Sequence, residues 1–306
     1  MSRPVNQPTC ILVIGAHRSG TSAVTRTLGL LGAAEARALL PANADNPTGY
    51  WEAQAVVAAH DRFLEAVGSR WDDPRPLPPA AFAGRAAATC RAALLAILQA
   101  EFGGQALFVI KDPRLCRLAP LLLGALEAFG ARPLVVSPFR APGEVVRSLA
   151  AREGFARVRC LALWLGDVLE AERSTRGLPR TFVRLGGFWR DPALAARGLA
   201  ERLGCFPAGA ADAAAPAISA FWRPAGQDGD AAAELRDEPL AVVAQSVYAW
   251  LLQASAGGEP AADEMDAARA PFVRFLRTAA YRRSALADGL RELAGRVARK
   301  LAAPPL

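Results

Sequence analysis

The chain's 306 residues predict an α/β fold, a three-layer sandwich with a mainly parallel central sheet and further helices at the C-terminal end. Three stretches, Cys10–Ile14, Ala106–Ile110 and Leu134–Val136, are apolar without interruption, as strands buried on both faces are. The segments between them repeat apolar residues at helical spacing, and strands alternating with helices make a parallel sheet. Polar, cationic residues follow each apolar run. In open parallel sheets, ligands bind outside the carboxyl ends of the strands.

Composition narrows the class. An apolar share of 52% is ample for a core, and no apolar run reaches the roughly 18 residues of a membrane span. The first ten residues, MSRPVNQPTC, lack the apolar stretch of a signal peptide. Five cysteines (Cys10, Cys90, Cys116, Cys160, Cys205) are scattered without a C-x-x-C pair, which points to reduced thiols and a cytoplasmic location. The formal charge of +7 favours an anionic ligand, yet no Lys/Arg-rich block marks a nucleic-acid surface. Lys111 and Lys300 are the only lysines among 36 basic residues, so a lysine at a strand end stands out.

The first run leads into Gly15-Ala-His-Arg-Ser-Gly-Thr-Ser22. Gly15 and Gly20 permit a sharp turn that points successive N–H groups into one concavity. The helical pattern over 22–32 places that concavity at a helix N-terminus, which favours an anion. The loop resembles a P-loop and the fold is P-loop NTPase-like, but Thr21 stands where that pattern has lysine. The cation here is Arg18.

Pro41 to Glu52, PANADNPTGYWE, reads as a flap feeding a helix over 51–67. Trp71–Pro79 is too rich in proline for regular structure, and a helix over 84–101 precedes the second strand. Lys111-Asp112-Pro113-Arg114 closes that strand before a helix over 116–129. The third strand ends in Pro138-Phe139-Arg140, and Pro142 suits the first turn of a helix over 142–152. Ser148 lies eight residues after Arg140, about two turns on at roughly 3.6 residues per turn, so the fork of Arg140 and the hydroxyl of Ser148 can reach one phosphate. Two phosphate sites side by side imply a nucleotide phosphorylated at two positions. Helices over 156–174 and 192–203 flank a weaker fourth strand, Thr181–Leu185. Residues 8–206 therefore form the nucleotide-binding core, 207–235 a linker or irregular segment, and 236–306 a helical extension. In that extension Leu286, Leu290, Leu293, Val297 and Leu301 make an amphipathic stripe, with Arg282, Arg291, Arg296 and Arg299 interleaved. The stripe suits docking on its own domain or a second subunit, or contact with a membrane surface.

GAHRSGTS, KDPR and FRAPGEVVRSL together resemble the sulfotransferases that use 3′-phosphoadenosine 5′-phosphosulfate (PAPS) and release 3′,5′-ADP (PAP). PANADNPTGYWE and KDPRLC are similar to bacterial members among glycan-assembly enzymes. The resemblance covers about residues 10–205. It implies that Gly15, His17, Arg18, Ser19, Gly20, Thr21 and Ser22 bind the 5′-phosphosulfate, with His17 shaping the loop, and that Arg140 and Ser148 bind the 3′-phosphate. It further implies sulfuryl transfer to a hydroxyl of a glycan, glycolipid or small metabolite, with no nucleic-acid partner. Arg18 and Lys111 can stabilise the moving charge without a metal. Glu52 resembles the glutamate base of some branches, with His60 and Asp112 as rivals. Tyr50 and Trp51 are a carbohydrate platform or packing anchors, and Arg114 completes the acceptor side. Two other functions compete: a P-loop kinase or NTPase with Asp112 on Mg²⁺, and a non-catalytic nucleotide-binding scaffold. FVRLGGFWRDP departs from the tyrosine-and-acid segment common in the family, which leaves the adenine contacts open.

Overall fold

A computed structural model describes residues 7–43, 46–222, 235, 238–258 and 260–289. Strand β1 (Thr9–Val13) runs through the phosphate loop into α1 (Thr21–Leu30); α2 (Gln54–Ala66) follows the flap. A short 3-10 turn at Pro79–Phe82 and α3 (Arg85–Phe102) lead to β2 (Leu107–Lys111) and α4 (Leu115–Phe129). Then come β3 (Arg132–Phe139), α5 (Pro142–Glu153), α6 (Arg157–Ser174) and β4 (Arg180–Arg184). Helices α7 (Gly186–Arg190), α8 (Pro192–Leu203), α9 (Ala210–Phe221), α10 (Ala241–Ser255) and α11 (Ala262–Leu276) complete the described elements, with a further helical stretch over 279–289.

The four strands are parallel in the order β2-β1-β3-β4, so the chain leaves β1 for one neighbour and later returns on its other side. Such a reversal leaves a crevice at the strands' carboxyl ends. Side chains alternate across a strand, and β1 divides them between two layers. Cys10, Leu12 and Ile14 pack with α2, α3 and α4, whereas Ile11 and Val13 pack with α1, α8 and α9. A third cluster joins Phe139 and Phe182 to α5, α6, α10 and α11. The sandwich is three-layered, as the alternation of runs implied.

Local chemistry sets the helix ends beside the crevice. Pro142 occupies the first turn of α5 with Glu144 behind it, and Gly154 ends the helix at φ +69°. Asp191 caps α8 by accepting from the Leu194 N–H at 2.9 Å. Pro138 is tolerated near the end of β3 because the Val135 N–H faces β4, which puts the missing N–H of Pro138 on the β1 edge, where the paired register ends at Val136.

One expectation needs correction. The segment 207–235, read as irregular, contains α9, whose Ala214 and Ile218 are buried and whose neighbour Trp222 donates to Thr27 Oγ1 at 2.9 Å. Alanine favours helix strongly enough to accommodate Pro216, while the low-complexity composition hides the buried face. Of the C-terminal stripe, Leu286 is described and exposed; Leu290, Leu293, Val297 and Leu301, with Arg291, Arg296 and Arg299, lie outside the described residues. All five cysteines are unpaired, four of them buried. No helix among the described residues is long and apolar enough to cross a membrane.

Candidate active site

The three strand ends open into one cleft of about 540 Å³, lined by the phosphate loop, the flap, Lys111, Arg114 and Arg140. The loop's shape depends on its glycines. A Cβ at Gly15 would stand 2.5 Å from the Pro138 carbonyl oxygen, and at Gly20 (φ +79°) it would stand 2.4 Å from the Leu185 methyls. Arg18 also adopts a left-handed conformation, φ +65°, uncommon for a residue with a Cβ. Ser19 N–H closes the turn onto Ala16 O at 3.1 Å, while Ser19 Oγ is buried without a hydrogen-bond partner. Helix α1 begins at Thr21, so the N–H groups of Thr21, Ser22 and Ala23 have no partner within the helix.

Arg18 reaches across the cleft. Its Nε donates to Ser148 Oγ at 2.9 Å, and its carbonyl oxygen accepts from Arg140 Nη1 at 3.5 Å. The Arg140 guanidinium lies 4.7 Å over the Trp189 ring and pairs with Glu144 at 3.3 Å. The loop, the third strand end and the second turn of α5 are therefore one surface.

Lys111, at the end of β2, is buried and triply engaged. Its Nζ donates to Ser22 Oγ at 3.1 Å, to Tyr50 O at 3.2 Å and to Glu52 Oε1. Burial raises the proton affinity of Glu52, and Lys111 opposes that shift. Arg114 spans three carboxylates. It grips Asp61 at 2.6 and 3.1 Å, donates to Asp112 Oδ1 at 3.0 Å, and stands 3.8 Å from Glu52 Oε2. Asp112 also receives the Arg114 backbone N–H at 3.0 Å and contacts His60 Nδ1 at 2.8 Å. Its pKa is held well below the usual carboxylate range: Arg114 and His60 outweigh the desolvation that would raise it.

The cleft gathers His17, Arg18, Gly20, Thr21, Ser22, Tyr50, Glu52, Lys111, Arg114 and Arg140; Gly15 and Ser19 shape the loop below. Three expected residues turn away. Trp51 (φ +56°) is not among the lining side chains; its ring packs 4.5 Å under the Arg26 guanidinium, so it is an anchor and not part of a sugar platform. His60 is fully buried on α2 against Asp112, too deep to touch an acceptor. Asp112 is equally enclosed and committed to Arg114 and His60. Tyr50 contributes its carbonyl to Lys111 while its hydroxyl donates to Asn43 Oδ1 at 2.9 Å.

Other lining residues were not foreseen. Trp71, from the proline-rich loop, packs 4.7 Å from the His17 ring, and Trp189 and Trp222 also line the cleft. A tryptophan within an otherwise polar loop was the available signal for Trp71. Arg152 and Glu153 come from the end of α5. Burial, with Arg114, Arg152 and Lys111 nearby, pushes the His17 pKa well down, so the ring is neutral at pH 7. Behind the loop, Asp167 accepts the His17 N–H at 3.4 Å. Among the described residues, no group of three or more His, Cys, Asp or Glu is placed to hold a metal ion.

No family model matches the chain, and neither does any curated protein. Among solved structures it is similar to the sulfotransferase domain of the Synechococcus PCC 7002 olefin synthase, with 16% identity and a TM-score of 0.43, over 88% of this chain and 97% of that one. It is also similar to sulfotransferase STF9 from Mycobacterium avium, with 16% identity and a TM-score of 0.44, over 82% of this chain and 77% of that one. The sulfotransferase domain of the curacin biosynthetic pathway aligns with 15% identity and a TM-score of 0.40, over 86% of this chain and 96% of that one.

Proposed function

We propose that the chain transfers a sulfuryl group from PAPS to a hydroxyl of a glycan, glycolipid or small metabolite, releasing 3′,5′-ADP. The observation that carries this reading is the position of Arg18, with its side chain on Ser148 and its carbonyl on Arg140. That contact makes two anion sites neighbours, as a nucleotide phosphorylated at both the 5′ and 3′ positions requires. The residues suit such a ligand: Ser19 Oγ lacks a partner, and the first-turn N–H groups of α1 face no helical acceptor. The loop donors would hold the 5′-phosphate, and Arg140 with Ser148 the 3′-phosphate. PAPS supplies a sulfuryl group activated by its phosphate leaving group. Lys111 and Arg18 would stabilise negative charge on the transferring group and leaving oxygen, the role that cations play in phosphoryl transfer. Glu52 takes the acceptor proton at Oε2, the oxygen that Lys111 leaves open.

The test compares thermal stabilisation by 3′,5′-ADP, 5′-AMP, ATP-Mg and GTP-Mg, then measures transfer from PAPS to a panel of hydroxyl acceptors. The expected outcome is a strong preference for 3′,5′-ADP and measurable transfer. Preference for a magnesium triphosphate would restore the kinase reading, and 3′,5′-ADP binding without transfer to any acceptor would leave a scaffold.

A further inference from the structure

His60 presents a chemical anomaly. Its side chain is 0% exposed and makes one hydrogen bond, from Nδ1 to Asp112 Oδ2 at 2.8 Å, while Nε2 is buried without a partner. A buried polar atom left unpaired costs stability, so an apolar ring of similar size would fill this site at least as well. Packing alone does not account for an imidazole here. What it adds is the bond to Asp112.

That bond acts on the cleft in two steps. Asp112 is fully enclosed and splits its oxygens: Oδ2 goes to His60, and Oδ1 takes both the backbone N–H and Nη1 of Arg114 at 3.0 Å each. With Asp61 gripping its Nε and Nη2, the Arg114 fork is fixed on all sides. Its Nη1 is thereby set 3.8 Å from Glu52 Oε2, the oxygen not taken by Lys111. His60 stands on α2, the helix that follows the flap carrying Glu52, so the contact also ties that flap to the end of β2.

We propose that His60 is a positioning residue, which donates from Nδ1 to Asp112 and through Asp112 and Arg114 sets the orientation of the Glu52 carboxylate. The proposal rests on the sulfuryl-transfer reading, with Glu52 as the group that takes the proton. The imidazole touches neither donor nor acceptor. Since Asp112 is held ionised and can only accept, the hydrogen of this contact sits on Nδ1.

Two substitutions separate this role from simple packing. Asparagine places a donor where Nδ1 stands, one bond from Cγ, whereas glutamine reaches toward the position of Nε2. His60→Asn is expected to keep kcat near wild type, and His60→Gln to lose roughly tenfold or more, the scale of effect that misplacing a reacting group produces. Both should bind 3′,5′-ADP as the wild type does. Independently, ¹⁵N NMR of the full chain should show one histidine in the Nδ1–H tautomer; the chain has two, and the spectrum of His60→Asn identifies His17. An Nε2–H tautomer at His60, equal loss in both variants, or no loss in either overturns the proposal. If wild type transfers no sulfuryl group, or both variants unfold, the tautomer alone decides, and only the first of these outcomes bears on the proposed function.

Discussion

Arg18 Nε donates to Ser148 Oγ across 2.9 Å, which joins the phosphate loop to the second turn of α5. Two residues 130 positions apart thereby meet, with Arg140 bound to the Arg18 carbonyl, so the two proposed anion sites are neighbours. The consequence is selective. Ser148→Ala and Arg140→Ala should each weaken 3′,5′-ADP while leaving 5′-AMP nearly unchanged, because only the former carries the 3′-phosphate. A hydrogen bond to a charged group contributes about 1.5–3 kcal/mol, or roughly ten- to a hundredfold in affinity. Calorimetry with both nucleotides reads the difference. Equal weakening of both ligands would mean that these residues merely support the loop.

The backbone of the same arginine offers a second test. At φ +65° an L side chain is strained, and glycine is not. Arg18→Ala and Arg18→Gly both delete the cation and the bond to Ser148, so their difference isolates the backbone. The glycine variant should be the more stable by about 1 kcal/mol in urea titration, with transfer lost in both. Glycine at Gly20 shows the reverse case: Gly20→Ala must accept both φ +79° and a Cβ 2.4 Å from Leu185. It should be less stable than wild type and lose nucleotide affinity. An alanine tolerated at both positions would refute the loop conformation.

Glu52→Gln tests the proton acceptor. The amide can still accept from Lys111 but cannot take a proton, so kcat should fall by about 10²–10⁴ while 3′,5′-ADP binding survives. The pH profile carries the same information. Burial raises the Glu52 pKa despite Lys111, and the base works only when ionised. Activity should therefore fall with acidification at a pH above the ordinary glutamate range. A profile that is flat through weak acid, or a fully active Glu52→Gln, removes Glu52 from the reaction.

The parts of this site that sequence conveys are those with local signatures. Uninterrupted apolar runs locate β1, β2 and β3 to within a few residues, since a strand buried on both faces has no polar side to blur it, whereas β4, partly exposed, is legible only as a weaker stretch. Gly15 and Gly20, and the spacing of Arg140 from Ser148, are equally local. What distance along the chain conceals is which side chains turn inward. Tyr50 and Trp51 are adjacent, yet the positive φ of Trp51 sends its ring beneath Arg26 while Tyr50 stays at the cleft. Trp71 reaches the same cleft from a loop whose prolines suppress any periodicity. The His60–Asp112 contact joins residues 52 positions apart, and nothing in the helical pattern of α2 distinguishes an imidazole facing a carboxylate from one facing solvent. α9 was hidden differently: its alanines are helix-formers, but only Ala214, Ile218 and the Trp222 bond to Thr27 show that it packs on the core.

Asp167 links the loop to the pH dependence of folding. It sits inside α6, almost fully buried, and accepts the His17 N–H at 3.4 Å. Burial pushes its pKa up to about 7, against smaller lowering by Arg117 and the His17 N–H. In the unfolded chain it titrates near the ordinary aspartate value of about 3.9. Between those two pH values the folded state binds the proton that the unfolded state has released, so stability falls as pH rises across that window. Below it, both states are protonated and the penalty vanishes. Three pKa units at about 1.4 kcal/mol each set a ceiling of roughly 4 kcal/mol, fully exacted above neutrality. Asp167→Asn removes the charge and keeps an oxygen for the His17 N–H. Urea titrations should therefore show the variant more stable than wild type at pH 8 and close to it at pH 4.5. A variant less stable at pH 8 would mean that the Asp167 carboxylate is stabilised in the fold, and that Arg117 outweighs its desolvation.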